Sequence, residues 1–222
     1  MIKMAKLLYI SANPKGPEKS KGMQIGEAFL QSFIEEQPDI NITKIDLFQF
    51  DMARMDADLI SARGKLAGYG LSFDDLTEQE KTKISKMHRL ADEFIQYDYF
   101  VFVSPLWNLS SPAVLKTFLD NLFVTGKTFV HTANGPKGLL SGKTAIHIQT
   151  RGGLYTGLPM AELESGDRYL KIALRFLGID VLDSVIAEGL DAFPKKAPGI
   201  VGEAKVRAVA AAKVMARQPA YL

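Results

Sequence analysis

The chain contains no cysteine among its 222 residues. That excludes disulfides, thiolate nucleophiles, Cys-ligated zinc and iron–sulfur clusters. It has only three histidines, His88, His131 and His147, spread too widely along the chain to suggest a histidine metal cluster. An excess of one charge is also missing. Its 27 Lys+Arg against 25 Asp+Glu leave a formal charge of +2, which carries no electrostatic footprint for nucleic acid or an anionic membrane surface. No apolar run approaches the ~18 residues of a membrane span. The apolar stretch near the start, Leu7–Ile10, is too short for a signal peptide and no small-residue cleavage site follows it, so the cytoplasm is the expected compartment. With 47% hydrophobic and 23% charged residues, wholesale disorder is excluded. The length suits a single domain with a substantial core.

Short apolar runs alternate with amphipathic stretches. Leu7-Leu8-Tyr9-Ile10 reads as a buried strand bounded by Asn13-Pro14. Met23 to Gln37 reads as a helix with Ile25, Phe29 and Phe33 at steps of four and Leu30 and Ile34 beside them, ended by Pro38. Ile40 to Leu47 reads as a second, less regular strand. Thr77-Glu78-Gln79-Glu80 is a capping box that opens a helix with the stripe Ile84, Met87, Ala91, Phe94. Tyr99 to Ser104 is a central strand stopped by Pro105. Ser111-Pro112 then starts a helix with Leu115, Phe118, Leu119 and Leu122 inward. Thr144 to Gln149 is a fourth strand, Tyr169 to Leu177 lies in a helix stopped by Gly178, Val181 to Ala187 is a fifth strand, and Glu203 to Met215 is a final helix. Residues 49–76 exceed a normal connection. They hold a short helix around Asp56 to Leu66, are interrupted by Gly68-Tyr69-Gly70, and read as an insertion. Five strands alternating with helices, with no repeat and no linker, predict one α/β domain over 1–222 with a parallel sheet.

Several catalytic motifs fail. Gly126-Lys127-Thr128 resembles the end of a phosphate loop, but Asn121 stands where its first glycine belongs. Gly138 to Thr144 is one residue short and runs into a strand rather than a helix. After the first strand comes Ser11-Ala12-Asn13-Pro14-Lys15-Gly16, not a dinucleotide fingerprint. No serine-hydrolase elbow is present, and no two carboxylates form a recognisable acid/base pair.

Three loops remain: Ala12–Gly22, Pro105–Ser111 and Thr150–Gly157. Each follows a strand, and in an open parallel sheet such loops share one edge. In the order 2-1-3-4-5 they converge beside the switch point between strands one and three. Ser20, Lys21 and Gly22 precede a helix and combine a hydroxyl, a charge and an open amide, an arrangement suited to one terminal phosphate. Taken alone, the loop reads rather as a simple cap with a solvated lysine. Leu106, Trp107, Asn108 and Leu109 hold the only tryptophan, an aromatic wall for a flat heterocycle, with Asn108 as donor and acceptor. The alternative there is a core or interface tryptophan and a turn-forming asparagine. Thr150, Arg151, Gly152 and Gly153 let a backbone approach a ligand closely, or are loop punctuation.

The segments Val101–Leu122, Gly126–Lys143 and Thr150–Gly153, within a likeness running along nearly the whole chain, resemble the flavodoxin-like FMN-dependent NADH:azoreductases, which are also quinone reductases. The resemblance implies a doubly wound five-stranded sheet with helices on both faces. It implies that Leu106, Trp107, Asn108 and Leu109 hold the flavin ring, that Thr150 to Gly153 lie at its edge, and that Ser20, Lys21 and Gly22 meet its phosphate. There Gly22 replaces the second hydroxyl of the family's Ser-x-Ser. It further implies bound FMN, NADH as donor, quinone or azo acceptors reduced in a ping-pong cycle, and a homodimer. Residues 49–76, whose apolar side chains would be a liability if exposed on a monomer, are a candidate contributor to its interface, or fold back on their own sheet as a satellite cluster. No side chain needs to be a nucleophile, because the cofactor carries the chemistry. A general NAD(P)H:FMN or quinone reductase is the nearest rival. A flavodoxin-like electron carrier is the rival from another class, and the small net charge argues against it.

Overall fold

The computed structural model describes residues 4–157 and 159–218. Its sheet is parallel throughout, with strands β1 (Lys6–Ser11), β2 (Asn41–Asp46), β3 (Tyr99–Pro105) and β6 (Thr144–Thr150) in the order β2-β1-β3-β6. The next position is filled by two short strands, β7 (Asp180–Val181) and β8 (Val185–Ala187), both paired with β6. The expected order 2-1-3-4-5 therefore holds, with the single strand expected over 181–187 split in two. The apolar runs of β3 and β6 are buried along their whole length. That is what a parallel sheet covered on both faces demands of its central strands.

Helices α1 (Lys21–Glu36) and α6 (Ala197–Ala216) cover one face, where Ile25, Phe29 and Phe33 meet the Ala204, Ala208 and Ala212 stripe. Ile34, expected inward, is half-exposed. Helices α3 (Glu78–Phe94), α4 (Ala113–Asp120) and α5 (Gly166–Phe176) cover the other face over Phe100, Phe102 and Ala145. The Thr77 capping box is formed, with Glu80 N–H donating to Thr77 Oγ1 and Glu80 Oε2 accepting from Thr77 N–H. Lys65 and Ser61 also hold the Glu80 carboxylate, so its pKa falls to about 2. Pro112 stands at the N-cap of α4, so the helix starts at Ala113, one residue later than expected. Among the described residues no helix is long and apolar enough to cross a membrane.

Residues 49–76 contain α2 (Ala57–Ala67), capped by Asp56, and a 3-10 turn at Phe73–Asp75. Leu59 and Ala62 turn inward onto Ile84, Met87 and Ala91. Ile60, Tyr69, Leu71 and Phe73 face outward, between 43% and 80% exposed. Lys83 ties Asp56 and Asp58 to α3. The segment is thus partly a satellite of its own sheet and partly an apolar outer face.

A second feature was illegible in sequence: the antiparallel hairpin of β4 (Phe129–Thr132) and β5 (Gly135–Gly138). Phe129 packs against Phe123 and Phe176, and Leu140 N–H donates to the Leu177 carbonyl. Gly126 turns with φ 82° and Thr128 is buried on the Leu122 and Val124 carbonyls. Gly138 lies so close to α5 that a Cβ on it would stand 2.2 Å from the Leu177 carbonyl carbon. Because backbone cannot rotate away as a side chain can, Gly138→Ala is expected to lower stability by about 1–3 kcal/mol. Urea unfolding followed by circular dichroism measures it, and an unchanged midpoint would show that the hairpin moves freely.

Candidate functional site

All strands of the main sheet point the same way, so the loops after β1, β3, β6 and β8 meet at one edge, on either side of β3. They enclose a crevice of about 200 Å³ lined by Asn13, Lys15, Lys19, Ser20, Lys21, Pro105, Leu106, Trp107, Thr150, Arg151, Gly152, Leu190 and Asp191. Of the residues expected from sequence, Ser20, Lys21, Leu106, Trp107, Thr150, Arg151 and Gly152 line it together. Asn108 and Leu109 form the tip of the neighbouring turn, Gly153 follows the wall, and Gly22 is buried beneath it against Thr150 and Val103.

The first loop is shaped by Asn13, whose Oδ1 accepts from Lys15 N–H while its Nδ2 donates to Ser20 Oγ at 3.0 Å. Ser20 caps α1, its hydroxyl oxygen accepting from Met23 N–H at 3.3 Å. Capping and crevice lining, offered by the sequence as alternatives, are one arrangement. The cap leaves the amides of Lys21 and Gly22 in the unpaired first turn, where the helix dipole is positive. Lys15, Lys19 and Lys21 add cationic charge at this end, and Asp191 contributes a carboxylate.

The second loop is a tight turn in which Trp107 and Ser110 exchange both backbone hydrogen bonds, at 2.8 and 3.0 Å. Its two central residues, Asn108 at φ 48° and Leu109 at φ 68°, are both left-handed. Asparagine tolerates this conformation, whereas leucine rarely adopts it. Trp107 is 41% exposed and packs edge-on against Phe48. It is neither a core residue nor free in solvent, but a wall.

In the third loop Arg151 is buried, and its role differs from that of an open ligand contact. Its Nε donates to Gln149 Oε1 at 2.7 Å, and its terminal nitrogens lie 3.6 and 3.4 Å from Glu164 and Glu188. Glu188 in turn accepts from the amides of Tyr155 and Thr156. Arg151 therefore shapes the loop from beneath, and the Gly152 backbone faces the crevice. A Cβ on Gly152 would stand 2.4 Å from the Asp191 carboxylate.

Sequence reasoning missed Asn13, Lys15, Lys19, Leu190 and Asp191, although the loop after the fifth strand obeys the same topological rule as the other three. It also missed a buried polar chain beside the crevice. Ser104 Oγ lies 2.9 Å from His147 Nε2, and His147 Nδ1 lies 2.8 Å from Asp167 Oδ1. Burial raises the Asp167 pKa, but His147, Ser184 and Lys171 outweigh it and hold the carboxyl well below the usual range. The available signal was a lone serine and a lone histidine inside apolar strands, since buried polar groups require partners.

A doubly wound parallel sheet with its crevice at the switch point beside β1 and β3 is a flavodoxin-like architecture. The family model for the flavodoxin-like fold matches residues 5–211. A Staphylococcus haemolyticus FMN-dependent NADH:quinone oxidoreductase is 44% identical over 96% of this chain and 99% of its own. An azoreductase structure from Bacillus anthracis superposes with a TM-score of 0.87 at 34% identity, covering 95% of this chain and 100% of that one. A B. anthracis FMN-dependent NADH-azoreductase in complex with FMN superposes with a TM-score of 0.86 at 30% identity, covering 96% and 100%. The chain belongs to the flavodoxin-like family of FMN-dependent NADH:quinone oxidoreductases and azoreductases.

The left-handed Leu109 has a measurable cost. Leu109→Gly removes backbone strain worth about 1 kcal/mol, so apoprotein stability is expected to hold or to rise by up to that amount. A clear fall in the urea midpoint would show that the leucine side chain contributes more than its backbone costs.

Proposed function

We propose that the crevice holds FMN and that the protein uses it to reduce quinones, and aromatic azo compounds, at the expense of NADH. The observation that carries this reading is the convergence of four strand-end loops on one crevice whose two ends differ in chemistry. One end offers the Ser20-capped helix terminus with Lys15, Lys19 and Lys21; the other offers Leu106 and the exposed Trp107. An anionic tail and a flat heterocycle fit such a pair of ends. FMN bound there would supply reversible two-electron chemistry between NADH and an acceptor.

In this reading Ser20, Lys21 and the Gly22 amide bind the phosphate. The lysines offset the hydroxyl that Gly22 lacks. Leu106, Trp107, Asn108 and Leu109 hold the ring, and Asn108, without a side-chain partner among the described residues, is available to hydrogen-bond its polar edge. Thr150 and the Arg151-Gly152-Gly153 backbone bound the ring's other edge. With one helix terminus and no pyrophosphate loop, the site suits FMN over FAD. Heat extraction and chromatography are expected to release FMN, with purified protein oxidising NADH when a soluble benzoquinone is added. Asn108→Ala is expected to weaken FMN binding by about 1–3 kcal/mol in a fluorescence titration. Recovery of FAD, or the absence of NADH-dependent quinone reduction, would overturn the reading.

The active protein in this reading is a homodimer. A crevice of about 200 Å³ falls below the roughly 300–1,000 Å³ usual for a ligand pocket. The crevice's own Trp107 and the adjacent Leu109 are about 40% exposed, as is Phe193 nearby. A partner would close that open side and cover the outer face of 49–76. Sedimentation equilibrium paired with activity at each dilution is expected to show both falling together as the dimer dissociates. A fully active monomer would discard the shared site.

A further inference from the structure

Ser104, His147 and Asp167 have the makings of a hydrolytic triad, but their burial forbids that chemistry. Ser104 is 1% exposed and His147 is 0% exposed, so no substrate carbonyl reaches the hydroxyl. The same three groups are well placed to act on the backbone. We propose that they form a positioning relay by which the first turn of α5 clamps the strained turn at 105–109, an inference that rests on that turn's role as the flavin wall.

The clamp has two jaws, both at the start of α5. Asp167, held ionised, only accepts hydrogen bonds. Its Oδ1 therefore takes the proton on His147 Nδ1, and Oδ2 takes one from Lys171 at 3.0 Å. With Nδ1 turned to Asp167, the ring presents Nε2 to the Ser104 hydroxyl at 2.9 Å. Ser104 is the residue before Pro105, so this jaw grips the entry of the turn. The other jaw is Ser165, whose N–H and Oγ both donate to the Leu109 carbonyl, at 2.9 and 2.8 Å. It grips the exit.

Between the jaws lie Asn108 and Leu109, the two non-glycine residues with positive φ among the described residues. Backbone in such a conformation persists only where its surroundings over-determine it. Leu106 N–H donating to the Thr150 carbonyl at 2.7 Å supplies a third fixed point. The helix start also reaches the other wall. Glu164 Oε1 accepts from Asp167 N–H at 2.8 Å and from Gln149 Nε2 at 3.3 Å, and Gln149 in turn accepts from Arg151. One helix terminus thereby sets both the Trp107 turn and the Arg151–Gly153 loop.

Trp107 is the sole tryptophan, so its fluorescence reports on the turn in apoprotein, without flavin. Ser104→Ala and His147→Phe remove the entry jaw. They are expected to raise acrylamide quenching of Trp107 roughly twofold, lower its anisotropy, and weaken FMN binding ~10-fold, the scale of one buried hydrogen bond. Phe33→Leu, in the core on the opposite sheet face, serves as the control. It is expected to lower the urea midpoint and leave Trp107 quenching and FMN affinity as they are. If His147→Phe fails to fold, Ser104→Ala, which deletes one hydroxyl and adds no atoms, carries the test alone. Unchanged quenching and FMN affinity in folded Ser104→Ala, or equal changes in Phe33→Leu, would overturn the clamp. Should wild-type protein bind no FMN, the flavin reading fails, and the Trp107 comparison still decides whether the clamp exists.

Discussion

The parallel pairing of β3 with both β1 and β6 is the constraint on which the rest depends. Tyr99 to Val103 match Leu7 to Ser11 on one side, and Tyr99 to Pro105 match Thr144 to Thr150 on the other. Both partners run in the same direction, so every loop that leaves their carboxyl ends emerges on one edge. Burial on both faces leaves the central strands no tolerance for slippage, because a one-residue shift would exchange the side chains of Phe100 and Val101 between two different cores. The position of the crevice follows from that register.

The polar groups at the carboxyl end of the sheet show how the site is held once it is placed. Ser104, His147 and Gln149 all project from the face that carries α3, α4 and α5, where the core is otherwise aromatic and aliphatic. Each buried polar atom there demands a partner, and the start of α5 supplies them, Glu164 to Gln149 and Asp167 to His147, which in turn meets Ser104. The hydrogen bonds that satisfy these groups also fasten the loops above them. The crevice therefore sits on a rigid base, while its outer rim, at Trp107, Leu109 and Phe193, stays open.

Much of the fold was legible because its signals are local. The Thr77–Glu80 capping box, the Asp56 cap, the proline that closes β3 and the left-handed Gly178 that ends α5 each act within a few residues. The apolar runs of β1, β3 and β6 identify central strands by composition alone. Short, weakly apolar elements were not legible in the same way. The β4–β5 hairpin alternates too little to be recognised, and it is held by long-range contacts of Phe129 with Phe123 and Phe176. The split of the last strand into β7 and β8 follows from its pairing with β6, which periodicity does not report.

By itself the sequence determined the element order, the parallel sheet, the strand-end loops and the helix cap at Ser20, because hydrophobic periodicity and capping are encoded within short windows. It also carried the segments that mark the family. The tertiary structure alone decided which loop residues face the crevice. It turned Gly22 down onto Thr150 and buried Arg151 among Glu164, Glu188 and Gln149. It also brought Asn13 and Asp191 into the wall, and joined Ser104, His147 and Asp167 across 43 and 20 residues of chain. Such contacts depend on how separate elements pack and on the need of each buried polar group for a partner, and neither is written in the neighbourhood of any one residue.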